Sequence, residues 1–184
     1  MQQHNRGQGP LYQLYEGFLA LRPLFSSDSN PQQRARCLAE FVGHSVPVCR
    51  VAFLRLDSSQ KPAEAGFWGD SQEQWENLYP LFLERHLPSL MDAFTRGQPV
   101  EDSAVEGMVL GLLGAQTPPY SPTILPVERE GLLLGFLYFG KAREKGPWTE
   151  GEKAALESLA AILSLFFAQQ GRMDAIRLQS FIFG

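Results

Sequence analysis

The run Leu132-Leu133-Leu134-Gly135-Phe136-Leu137-Tyr138-Phe139 constrains this chain more than any other segment. It falls far short of the roughly 20 residues that span a bilayer. It is apolar at both parities, so as a strand it must be central in its sheet and buried on both sides. Gly135 sits in its middle, where the absence of a side chain lets another element lie close. The preceding turn, Arg129-Glu130-Gly131, predicts a hairpin with Thr123–Glu128 as the partner strand.

Other elements follow from periodicity. Val48–Asp57 reads as a strand with Ala52, Leu54 and Leu56 on one face and Val51, Phe53 and Arg55 on the other. Pro62–Trp68 returns antiparallel across the loop Asp57–Lys61. A short strand is expected at about Pro99–Asp102. Apolar residues at helical spacing predict helices over Pro10–Arg22 and from Pro31 to Gly43–Ser45, the second opened by Asn30-Pro31. Ser71–Thr95 reads as a long helical region bent at Pro80 or Pro88 and ended by Gly97, followed by a helical piece over Ser103–Gly114 and a loop over Ala115–Pro122. Thr149 and Glu152 form a capping box for a last helix that runs to at least Gln170 and on past Gly171 to about Ser180. The domain plan is a flexible tail over 1–10, one domain over 11–170 and a C-terminal helical extension over 171–184.

Composition excludes several classes of function. Sixteen Lys and Arg against 20 Asp and Glu give a net charge of −4, with no basic run to grip a phosphate backbone, so nucleic acid is not an expected partner. Met1–Gly9 is polar and carries no signal-peptide core, and no apolar run reaches membrane length, so the expected setting is cytoplasmic, off the membrane. The two cysteines, Cys37 and Cys49, cannot build a disulfide framework.

Two segments resemble the GAF domain, a small-molecule sensor domain related to PAS. Ala93-Phe94-Thr95-Arg96-Gly97-Gln98-Pro99-Val100-Glu101-Asp102 is similar to that family's helix-end Thr-Gly-x-Pro-Val turn leading into its third strand. Leu125-Pro126-Val127, Gly131, Gly135-Phe136-Leu137, Pro147-Trp148-Thr149, Glu152 and Leu156–Ala161 resemble its C-terminal pattern. The resemblance spans Pro31–Ala168 in order. It implies an α+β fold with a central antiparallel sheet of five or six strands, N- and C-terminal helices on one face and a pocket on the other. Leu133, Gly135, Leu137 and Phe139 would then face the terminal helix, and Phe136 and Tyr138 the pocket.

Catalytic constellations are sparse. Cys37, His44 and Cys49 lie at no zinc spacing, so neither a metal nor a cofactor is expected. Neither cysteine is placed for a bilin, and the dispersed signature of cyclic-nucleotide GAF domains is absent. Free methionine sulfoxide reductase, a redox enzyme on this fold, needs more thiols near the pocket. No serine sits in a nucleophile elbow.

The aromatic set is more informative. Phe53, Phe67, Trp68, Trp75, Tyr79, Tyr120, Phe136 and Tyr138, with Arg55 and His86 as polar members, would converge on the family's pocket. Either they receive a small molecule, or they fill the space as ordinary core, which close packing favours. Leu14, Tyr15, Phe18, Phe166, Phe167 and Met173 are surplus to one small core and point to a homodimer or a signalling partner docked on the terminal helices. The expected function is a non-enzymatic sensor or adaptor, with no effector module in these 184 residues, so that its output passes to a partner. The alternatives are a degenerate GAF domain acting as a structural or regulatory subunit without a ligand, and a thiol-based redox enzyme.

Overall fold

The computed structural model describes residues 30–69, 85–98, 100–113 and 120–183. The expected tail over 1–10 and the first helix, with Leu14, Tyr15 and Phe18, lie outside these residues, as do Trp75 and Tyr79. The chain orders as α1 (Pro31–Ser45), β1 (Arg50–Leu56), β2 (Pro62–Gly69), α2 (85–95), α3 (Asp102–Leu113), β3 (Tyr120–Arg129), β4 (Leu132–Ala142) and α4 (Glu150–Phe183). A short 3-10 turn, Arg143–Lys145, links β4 to α4.

The described strands form one antiparallel sheet in the order β2-β1-β4-β3. The described residues form four strands, where five or six are expected. The missing strand is the one expected at Pro99–Asp102. Gln98, Val100 and Glu101 have no strand pairing, and Asp102 opens α3 instead. The Glu101 carbonyl accepts from Ala104 N and Val105 N, which fixes that helix start. β4 is central, paired with β1 on one side and β3 on the other, as its two-sided apolar pattern requires. Glu130 and Gly131 close the β3–β4 hairpin at φ 55° and 78°, the left-handed pair that matches strand twist.

Helices cover both faces of the sheet. On one face α1 and α4 bury Ala35, Leu38, Val42, Leu156, Leu159, Leu163 and Phe167 against Val51, Phe53, Val127, Leu137 and Phe139. On the other, α2 and α3 bring Leu90, Val105 and Val109 onto Ala52, Leu54, Phe67, Ile124, Phe136 and Tyr138. Leu133 belongs to this second face rather than to the α4 face. The register slips between Val127 and Glu128, which pair with Gly135 and Leu133, so Leu134 is an extra residue and the parity of β4 reverses below it.

Gly135 makes room on β4 for the backbone of β1 and for Phe167 of α4. A methyl built there would lie 2.0 Å from the Leu54 carbonyl oxygen and 3.0 Å from the Phe167 ring. Phe167 in turn packs on Phe53, ring centroids 5.7 Å apart. The segment Glu150–Arg172 has the length and composition of a membrane span, and its residues Leu156, Leu159, Leu163 and Phe167 pack on the sheet.

The start of α4 is pinned by the expected capping box. Thr149 N donates to Glu152 Oε2 at 2.8 Å and Glu152 N to Thr149 Oγ1 at 3.3 Å. Lys141 Nζ on β4 also donates to Glu152 Oε2, at 2.8 Å. That hydrogen bond first, then the Thr149 backbone N–H, lowers the Glu152 carboxyl to about 2.

Two outcomes follow from these contacts. Gly135→Ala is expected to cost about 2 kcal/mol in urea unfolding, by forced overpacking where a strand alanine would otherwise stabilise. An unchanged midpoint would contradict the close approach. Because the folded carboxyl of Glu152 titrates below its ordinary 4.5, its stabilisation is complete above that pH and is lost as pH falls toward about 2. The gap in unfolding midpoint between wild type and Glu152→Gln is therefore expected to narrow across that window.

Candidate functional site

The sheet divides the residues expected to share a pocket. Phe67, Tyr120, Phe136 and Tyr138 lie on the α2/α3 face. Phe53 and Trp68 pack on the α1/α4 side. The cause is register. Phe53 stands opposite Leu137, Trp68 opposite Val51, and adjacent strand residues such as Phe67 and Trp68 point to opposite faces. The Trp68 ring lies against α1, 5.1 Å from His44.

Arg55 is likewise no pocket residue. It stands opposite Gly135, and its Nε donates to Glu64 Oε2 at 3.1 Å. Arg34 of α1 reaches the same carboxylate, with Nε 3.2 Å from Oε1. The three side chains are nearly buried, so this triad ties α1 to the β1–β2 hairpin. His86 sits half-buried on α2, where burial first, and then the Arg85 charge, lowers its pKa.

The rings on the α2/α3 face pack on one another around a polar chain. Arg50 Nη1 donates to the Tyr120 hydroxyl at 3.1 Å, and the guanidinium lies 4.3 Å from the centre of the same ring. Tyr138 is fully enclosed beside Tyr120, and burial first, then its tyrosine neighbour, drives its hydroxyl pKa well up. This is a filled core with an internal polar seam.

Among the described residues, open space lies beside the outer edge of β3. A cleft of about 690 Å³ lies between the end of α2, the turn into α3, the edge strand and the first turns of α4. Leu90, Phe94 and Val100 line one side, Ile124, Leu125 and Pro126 the floor, and Ala160 and Ala161 the α4 side. Phe136 is the one expected pocket residue among its walls.

Local sequence explains how the cleft is held. Gly97, at φ 65°, ends α2 with two bonds, Gly97 N to Phe94 O and Gln98 N to Ala93 O, both 2.9 Å. Val100 and Glu101 then lead into α3. Asp102, on the first turn of α3, accepts from Thr123 Oγ1 of β3 at 2.6 Å and meets Lys153 Nζ of α4 at 2.8 Å. One carboxylate thus joins three elements at the cleft's end. The hydrogen bond to Asp102 raises the Lys153 pKa. Glu128 and Glu157 also line the cleft and are exposed.

The cleft walls contain neither cysteine nor histidine. Cys49 Sγ donates to the Gly140 carbonyl at 3.1 Å, and both thiols are partly buried. Among the described residues no group of three or more His, Cys, Asp or Glu side chains could hold a metal ion. Of the expected interface residues, Phe167 is core at 4% exposure, Phe166 is partly buried against that core, and Met173 lies on α4 beyond the described side chains. Among the described side chains of α4, the exposed large apolar ones are instead Leu165 and Ile176.

Three solved structures share this architecture. The GAF domain of a phosphoenolpyruvate-protein phosphotransferase from Acinetobacter aligns with a TM-score of 0.53 at 16% identity, covering 85% of this chain and 93% of that one. The GAF domain of the corresponding Coxiella burnetii protein gives 0.54 at 15%, covering 91% and 99%. The GAF domain/HD domain protein of Geobacter sulfurreducens gives 0.53 at 15%, covering 78% and 95%. No family sequence model matches the chain, and no curated protein matches it in sequence. The shared architecture is the GAF fold.

Proposed function

With the GAF fold as premise, we propose that this domain is a non-enzymatic regulatory sensor or adaptor, working in the cytoplasm, whose input site is the β3-edge cleft and whose output is α4. One observation carries the reading. Lys153, Glu157, Ala160 and Ala161 form a wall of the cleft, and the same helix runs unbroken to Phe183. A ligand in the cleft would touch the element that a partner reads, and its differential contact with two settings of that helix is what would shift their populations.

The output surface is the outer face of α4, with Leu165 at 45% and Ile176 at 62% exposure. Its proposed occupant is a second copy of the chain, in the two-fold arrangement that is commonest for homo-oligomers, or a signalling protein reading the same face. The chemistry of the cleft supports a binding role over a catalytic one, because its walls offer no thiol or imidazole and its lysine is engaged with Asp102.

A second reading is favoured by a specific observation. The face that holds a pocket in the family is filled here by Phe67, Tyr120, Phe136 and Tyr138. A regulatory subunit that binds no small molecule would have this interior.

Sedimentation velocity tests the output surface. The wild-type chain is expected to be dimeric at micromolar concentration, and Leu165→Glu with Ile176→Glu to be monomeric with an unchanged urea midpoint, since neither side chain is in the core. A wild-type monomer would remove the homodimer and leave a different protein as the only reader of α4.

A further inference from the structure

We propose that the β3-edge cleft binds a small amphipathic cation, an apolar body carrying one ammonium or guanidinium group. The inference rests on the sensor reading and deepens it by naming a ligand class.

Charge in the cleft is one-sided. Its one basic side chain, Lys153, is paired with Asp102 at 2.8 Å. Glu128 and Glu157 make no ion pair among the described residues; beside them and the Asp102–Lys153 pair, the cleft is lined by apolar groups and the uncharged Gln98 and Thr123. The C-terminal end of α2, at Gly97 and Gln98, adds the negative pole of a helix. The positive pole of α3 is met by Asp102 in its first turn.

The backbone of the edge strand has the same polarity. The Gly140 carbonyl accepts from Cys49 N at 2.9 Å and so faces β1. Pro122 stands opposite Gly140, so its backbone faces away from β4, and by alternation Ile124 and Pro126 do the same. Within the cleft the outer edge therefore presents the Ile124 and Pro126 carbonyls but only one N–H, that of Ile124, because Pro126 has none. An added β-strand needs donors and acceptors in alternation and finds few donors here. A ligand rich in N–H donors finds carbonyls and two carboxylates, and its apolar body finds walls that include Phe94, Leu125 and Pro126. The volume of about 690 Å³ fits a small molecule.

The test is a methyl-detected NMR titration of the full chain with three probes of one length: hexylammonium, hexanol and hexanoate. Hexylammonium is expected to shift the Ile124, Leu125 and Ala161 methyls saturably and to bind about tenfold more tightly than hexanoate. Glu128→Gln with Glu157→Gln, both exposed positions, is expected to weaken hexylammonium about five- to tenfold and leave hexanol unchanged. Ala161→Trp, also exposed, is expected to abolish the shifts by filling the cleft. Hexanoate binding as well as hexylammonium, or hexylammonium shifts that survive Ala161→Trp, would overturn the ligand class or the site. The sensor reading fails separately: hexylammonium binding in the cleft with no change in hydrogen exchange along α4 would keep the site and remove the signalling.

Discussion

The contact between Phe167 and the bare backbone of Gly135 is the constraint on which the rest of this molecule depends. It needs a glycine in the middle of a strand buried on both faces, and an aromatic side chain one helix away to occupy the space. Together they bring α4 close onto β4: a methyl at 135 would press on the Phe167 ring at 3.0 Å and run into the Leu54 carbonyl of β1 on the neighbouring strand. Leu156, Leu159 and Leu163 extend the same seam toward the capping box at Thr149 and Glu152. Once α4 is fixed in this way, its first turns form a wall beside the edge of β3, and the cleft exists.

The cleft is therefore a consequence of packing, and its chemistry follows from what the edge strand could afford to be. An open sheet edge invites pairing with other chains. Here Pro122 and Pro126 remove donors from that edge, and Gln98, Val100 and Glu101 make no strand pairing. What remains is acceptor-rich and acidic. Asp102 fastens α3, β3 and α4 together at one end, so a change at the cleft is mechanically connected to the helix that runs to Phe183.

Much of this was legible in the sequence. The two-sided apolar run gave the central strand, Gly135 the close approach, Thr149 and Glu152 the start of α4, and Gly97 the end of α2. Period-two alternation also sorted β1 correctly into Ala52, Leu54 and Leu56 against Val51, Phe53 and Arg55. What alternation cannot say is which set faces which helices, and that is why Phe53, Arg55 and Trp68 were grouped with rings on the far side of the sheet. Leu133 was assigned to the α4 face because a bulge leaves no mark in a uniform leucine run. The strand expected at Pro99–Asp102 gave way to a helix start, for which Asp102 is well suited by charge. The cleft itself could have been suspected from two prolines four residues apart in a strand that had to lie at an edge.

Native-state hydrogen exchange tests the central claim most directly. If the Gly135–Phe167 seam joins helix to sheet, the amides of α4 from Leu156 to Phe167 and those of β4 from Leu133 to Phe139 open together, with free energies within about 1 kcal/mol of each other. An α4 that exchanges by its own local unfolding, several kcal/mol more readily than β4, would contradict the account.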